Sequence, residues 1–86
     1  MAEVRLSRQA ERAYRRLPVE VRSRIDGVLA RLECGELNHP NVRALRGPLE
    51  GSQRWRVGDW RVVFRIDPNR DVVWVEAITT RGGAYR

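Results

Sequence analysis

Four arginines, Arg54, Arg56, Arg61 and Arg65, fall in one stretch where they alternate with Trp55, Val57, Trp60, Val62 and Phe64. Arginine carries a planar fork of donors, stays charged at physiological pH and grips phosphate through two bonds at once. Several arginines on one surface therefore point to an anionic partner, and to chemistry in which growing negative charge must be stabilised. None of them can serve as a base, because the guanidinium keeps its proton in proteins. Glu76 is the one carboxylate that the pattern brings among them. It reads either as a charge-balancing residue or as the acceptor of a proton. The alternative for the whole set is a solvated face on which the arginines fan apart.

The rest of the composition narrows the chemistry. The chain has 86 residues, with 17 basic and 11 acidic side chains and a net charge of +6. Every basic residue is arginine. Codon usage in a GC-rich genome is one reading of the missing lysines, but it does not explain the net charge. A basic balance of this kind is the footprint of a phosphate-bearing or strongly acidic partner. There is no paired-carboxylate signature, no His/Cys metal spacing, no phosphate-cradling glycine loop and no G-x-S-x-G, so neither a metal nor a cofactor is expected. His39, in Asn38-His39-Pro40-Asn41, reads as a loop residue. The single cysteine, Cys34, can form neither an internal disulfide nor a multi-cysteine metal site, and it suits a reducing cytoplasm. No apolar run approaches the ~20 residues of a membrane helix. Arg5, Arg8, Arg12, Arg15 and Arg16 near the start exclude a secretory signal. The expectation is a cytoplasmic protein of one domain over residues 1–86, with a thin core, since a chain this short buries only roughly 60–70% of its unfolded surface.

These side chains need elements to hold them. Residues 4–6 read as a short opening strand, and Ser7 as the N-cap of a helix over 7–17 with Ala10, Ala13, Tyr14 and Leu17 on one face. Pro18 ends that helix and can open a second over 19–32, with Val21, Ile25, Val28, Leu29 and Leu32 in one stripe and Gly35 as its stop. Residues 35–51 look like a loop, broken by Pro40, Gly47, Pro48 and Gly51. Gln53–Val57 and Trp60–Asp67 then flank the two-residue turn Gly58-Asp59, and a turn over 68–71 leads into Val72–Thr80. Two antiparallel helices followed by three antiparallel strands predict an α+β fold with both helices on one face of a small twisted sheet.

Turn length sets the register, and the register sorts the side chains. With Gly58 and Asp59 as the turn, Val57 pairs with Trp60, Arg56 with Arg61 and Trp55 with Val62. Trp55, Val57, Trp60, Val62, Phe64 and Ile66 then share the core face, and Arg54, Arg56, Arg61 and Arg65 share the other. The second turn is expected to set Phe64 opposite Val75 and Val62 opposite Ala77, leaving Trp74, Glu76 and Ile78 on the arginine face. Arg56 and Arg61 would be a non-hydrogen-bonded pair with Cα atoms about 4.5 Å apart. Like charges so opposed destabilise a sheet by roughly 0.2–1 kcal/mol, which an anion between them would relieve.

The run Leu45-Arg46-Gly47 and the segment from Arg54 through Arg-Val-Gly-Asp-Trp-Arg-Val to Asp67 resemble the RelE/ParE toxin superfamily of type II toxin–antitoxin systems. Leu17-Pro18-Val19-Glu20-Val21-Arg22 and the closing Arg81-x-x-x-Tyr85 are similar to the same family, so the resemblance spans nearly the whole chain. It implies a microbial-ribonuclease-like fold in which the first short strand joins the sheet edge.

In the RelE branch the resemblance implies metal-independent cleavage of mRNA in the ribosomal A site by attack of the 2′-hydroxyl on the adjacent phosphate. The family's catalytic positions map onto Arg54, Arg56, Arg61, Arg81 and Tyr85. Beside them, Arg46, Arg65 and Trp74 are expected as RNA contacts. RelE itself has lysines where this chain has Arg54 and Arg56, and other members use a histidine or glutamate as base; here Glu76 or Tyr85 would have to accept the proton. The ParE branch shares the fold and poisons DNA gyrase instead, and a decayed, RNA-binding member is a third reading. The implied partners are a cognate antitoxin, acidic in its wrapping segment, together with the ribosome and mRNA. DNA would be reached only through the antitoxin, and no membrane is implied.

Overall fold

The computed structural model describes residues 2–80. Its elements run β1 (Glu3–Leu6), α1 (Arg8–Arg16), α2 (Val19–Glu33), β2 (Val42–Ala44), a 3-10 turn at Gly47–Leu49, β3 (Gln53–Val57), β4 (Trp60–Asp67) and β5 (Val72–Thr80). One sheet of order β1-β5-β4-β3-β2 carries all the strands. Pairing is antiparallel except where β1 runs parallel to β5 along one edge.

The helices begin and end where their residues dictate. Ser7 caps α1, its Oγ accepting the Ala10 N–H at 3.1 Å. Pro18 occupies the N-cap of α2, one position ahead of the expected first-turn site. At the other end Gly35 adopts φ +76°, and the N–H groups of Gly35 and Glu36 close back on Leu32 and Arg31 at 3.0 and 2.9 Å. That is the Schellman closure that a C-terminal glycine permits.

Both helices cover the same sheet face. Ala10, Leu17, Ile25, Val28 and Leu32 pack against Trp55, Val62, Phe64, Val73, Val75 and Ile78, all buried. Val57, Trp60 and Ile66 join this core half-buried, as the alternation requires. His39 packs on Trp55 with ring centroids 4.9 Å apart, and its Nδ1 accepts the Asn41 N–H, so it is a packing residue of the loop. The hairpin register is the expected one: Val57 faces Trp60, Arg56 faces Arg61 and Trp55 faces Val62. Gly58 has φ +59° while Asp59 stays out of the left-handed region, which fits a II′ turn and its twist.

Two expectations need correction. The segment 35–51 is not all loop, because Val42–Ala44 adds a fifth strand beside β3. The β4–β5 register also shifts between Val63 and Phe64, so Val62 faces Ile78 rather than Ala77, while Phe64 faces Val75 as expected. A bulge gives β5 one extra residue and resets the alternation. Ile78 therefore turns into the core at 1% exposure instead of joining the arginines. The bulge lies beside the start of α1. Ser7 Oγ donates to the Glu76 carbonyl at 2.7 Å, and the Gln9 side chain bonds both backbone groups of Ile78. Where β1 ends, the helix start takes over as the partner of β5.

Candidate nucleic-acid interface

The face of the sheet away from the helices is built in rows. Across one row lie Arg5, Trp74 and Arg65, set by the pairings of β1 with β5 and of β5 with β4. The middle row runs Ala77, Val63, Arg54, Arg43, and the row nearest the Gly58 turn runs Thr79, Arg61, Arg56. Period-two alternation puts each row's side chains on the same side. Six arginines thus share this face. Two of them, Arg5 and Arg43, sequence reasoning missed, because the parallel partner of β1 and the existence of β2 were not legible locally.

Charge is unevenly compensated along the face. At the end remote from the turn, Arg5 pairs with Glu3, and Arg65 Nε lies 3.8 Å from Glu76 Oε2. Near the turn, Arg43, Arg56 and Arg61 have no ion-pair partner among the described residues. Arg54 donates to the Asn41 carbonyl at 3.1 Å. Arg54, Arg56 and Arg61, with Gly58, Asp59 and Trp60, line a concavity of about 150 Å³. Three cations around one small depression raise the local potential for an anion, and the opposed pair Arg56–Arg61 would lose its repulsion on binding one.

Glu76 and Arg65 behave differently from what their types suggest. Ser52, only 1% exposed, donates to Glu76 Oε1 at 2.5 Å. Arg65 Nη2 in turn donates to Ser52 Oγ at 3.2 Å and to the Glu50 carbonyl at 3.4 Å. Gly51 makes room for this guanidinium: at φ +95°, a Cβ there would stand 3.0 Å from Arg65 Nη1. Both oxygens of Glu76 are thus engaged, and Arg65 is tied into a network although its side chain is 48% exposed. Ser52 was not singled out from the sequence, where a serine after glycine looks like an ordinary turn residue.

Trp74 stands on the open face at 37% exposure, with the Arg5 guanidinium carbon 5.5 Å from its ring centroid. Arg46 is exposed just before the 3-10 turn, outside the strand rows. Arg81 and Tyr85 lie outside the described residues. The structure thus brings Arg54, Arg56 and Arg61 together around the depression and sets Arg65, Trp74 and Glu76 further along the same sheet face.

Fold and face define a small α+β protein whose helices close one side of a sheet and whose arginines crowd the other. Among solved structures, the archaeal RelE–RelB complex from Pyrococcus horikoshii contains a chain 25% identical to this one, matched over 96% of this chain and 98% of that one with a TM-score of 0.80. The toxin–antitoxin complex RelBE2 from Mycobacterium tuberculosis gives 26% identity over 93% and 98%, with a TM-score of 0.65. The YoeB/ParE toxin from Agrobacterium tumefaciens shares the fold at a TM-score of 0.80 with 13% identity over 92% and 98%. No protein-family profile and no curated relative matches the chain. The chain shares the fold of these RelE and YoeB/ParE toxin structures.

Proposed function

We propose that this chain is the toxin of a type II toxin–antitoxin pair and acts as a metal-independent endoribonuclease on mRNA in the ribosomal A site. The observation that carries the reading is the direct opposition of Arg56 and Arg61 beside Arg54 around one depression. In the proposed step the 2′-hydroxyl oxygen attacks the neighbouring phosphorus and the bond from phosphorus to the 5′ oxygen breaks. The 5′ oxygen takes up a proton as it leaves. The products are a 2′,3′-cyclic phosphate, which can open to a 3′-phosphate, and a 5′-hydroxyl. Negative charge grows on the non-bridging oxygens as the fifth bond forms, and preorganised donors are worth most there. Arg54, Arg56, Arg61 and Arg81 are the proposed donors.

The proton of the 2′-hydroxyl needs an acceptor other than arginine. The reading gives this task to Tyr85 before Glu76, because both Glu76 oxygens already have partners in Ser52 and Arg65. Arg46, Arg65 and Trp74 are proposed RNA contacts. The proposed partner is an antitoxin whose acidic segment complements the arginine face; opposite charge speeds such association. The solved RelE–RelB and RelBE2 complexes support an antitoxin partner.

Sequencing the 5′ ends of cellular mRNAs after induction tests the activity. Cuts at fixed codon positions are the expected result. A second reading is poisoning of DNA gyrase as in the ParE branch, which has no need of nuclease residues; it is favoured by one feature, that the cations lining the depression are all arginines, which cannot serve as bases. Intact mRNA together with double-stranded DNA breaks would establish it in place of the first.

A further inference from the structure

We infer that Trp74 is a stacking platform for one unpaired base of an RNA strand whose phosphates run toward the Arg56–Arg61 depression. The inference rests on the ribonuclease reading and adds a base-binding subsite to it. Among the described residues, only Val19 and Trp74 are large apolar side chains with substantial exposure, and only Trp74 lies on the sheet. Its neighbours in the row are two arginines. Arg5 lies across β1 with its guanidinium over the indole, and Arg65 lies across β4. An aromatic ring between cations on an open sheet is the arrangement with which proteins hold single strands, since every base has a face to stack and every linkage a phosphate to neutralise. Guanidinium planes also stack on bases, so Arg5 can extend the platform rather than block it.

The placement agrees with a continuous path. Arg61 and Arg65 are four residues apart on β4, about 13 Å at strand spacing, so platform and depression are separated by a short run of extended strand. Arg54 lies between them in the middle row. Glu76 and Ser52 fix the Arg65 side of the platform, because Arg65 is bonded to both. A duplex cannot use such a platform, because its bases are already stacked within the helix.

The test uses the intact chain, short single-stranded RNA and the matching duplex, with tryptophan fluorescence and affinity followed across salt concentrations. Single-stranded RNA should quench the protein's emission, and the quenching should disappear in Trp74→Phe, whose affinity stays close to the parent's because phenylalanine still stacks. Trp74→Ala should bind about 5- to 150-fold more weakly, the range for losing one base–aromatic stack. Its salt dependence should be unchanged, because no phosphate contact is lost. Quenching that persists in Trp74→Phe would come from Trp60 beside the depression and would overturn the platform. RNA binding that is indifferent to Trp74→Ala would overturn it while leaving the ribonuclease reading intact. Absence of any single-strand binding by the parent, with its thermal unfolding normal, would overturn the platform, whereas the ribonuclease reading falls only if induction leaves cellular mRNA uncut.

Discussion

The side-chain amide of Gln9 holds the backbone of Ile78 from both sides, Nε2 donating to its carbonyl at 3.2 Å and Oε1 accepting its N–H at 3.0 Å. A helix residue thus stands in for a neighbouring strand just past the bulge. Replacing it with alanine would strand two backbone groups of β5. Gln9→Ala should therefore cost roughly 1–3 kcal/mol. A domain of this size would show that as a fall in Tm of about 4–8 °C per kcal/mol in thermal unfolding.

Ser52 and Glu76 make a second, part-buried connection, and its loss should read differently. Ser52→Ala removes the hydroxyl that donates to Glu76 Oε1 and accepts from Arg65. Destabilisation on the order of 1–3 kcal/mol is expected in denaturant unfolding. Glu76→Gln should lower stability while leaving any cleavage within a few-fold of the parent. A collapse of cleavage in a folded Glu76→Gln protein would make Glu76 the base.

Arg61→Ala should lower single-turnover cleavage at saturating ribosomes by a factor on the order of 10²–10³, the usual loss for one preorganised donor. Ribosome binding should fall much less, since the other arginines still meet backbone phosphates. Arg65→Ala should leave the chemical step nearly intact and lower the melting temperature, because its guanidinium supports Ser52 and Glu76. Equal loss of binding and unchanged cleavage once bound in Arg61→Ala would make the arginine face a docking surface only.

Tyr14 provides a pH-dependent signature on the helical side. Its hydroxyl donates to Asp26 Oδ1 at 2.5 Å, and that bond, ahead of partial burial, holds the phenol above the ordinary tyrosine range. A group whose value is raised on folding contributes stability below its unfolded value and loses it as pH rises through the folded one. Spectrophotometric titration should show a late-ionising tyrosine that returns to the ordinary range in Asp26→Ala. The same substitution should remove part of the loss of stability seen at alkaline pH.

The hairpin was legible because its information is local. A two-residue Gly58-Asp59 turn permits one register, and strict alternation then divides Trp55 from Arg56 and Val62 from Arg61. Helix caps at Ser7 and Gly35 were legible for the same reason. Strand β2 was not, since three residues between Pro40 and Gly47 carry too little pattern to mark a strand. The bulge was hidden as well: its partners Ser7 and Gln9 are 69 residues away from Glu76 and Ile78. Ile78 was consequently assigned to the wrong face, and Ser52 was not singled out. At the arginine face, residue type was legible everywhere, but which arginines lack a carboxylate was a property of the fold.

The parallel pairing of β1 with β5 also sets a schedule for synthesis. β1 is translated before every other element of the sheet, and its partner is the last of the described strands. Val73, Val75 and Ile78, which complete the core under the helices, arrive with that same strand. A ribosome that has made both helices and the β3–β4 hairpin still holds a nascent chain with Trp55, Val62 and Phe64 uncovered by β5. Such long-range closure is slow and exposes apolar surface on the way. Closure of this fold therefore waits for the emergence of β5, and the arginine face becomes a rigid surface only after that strand has emerged.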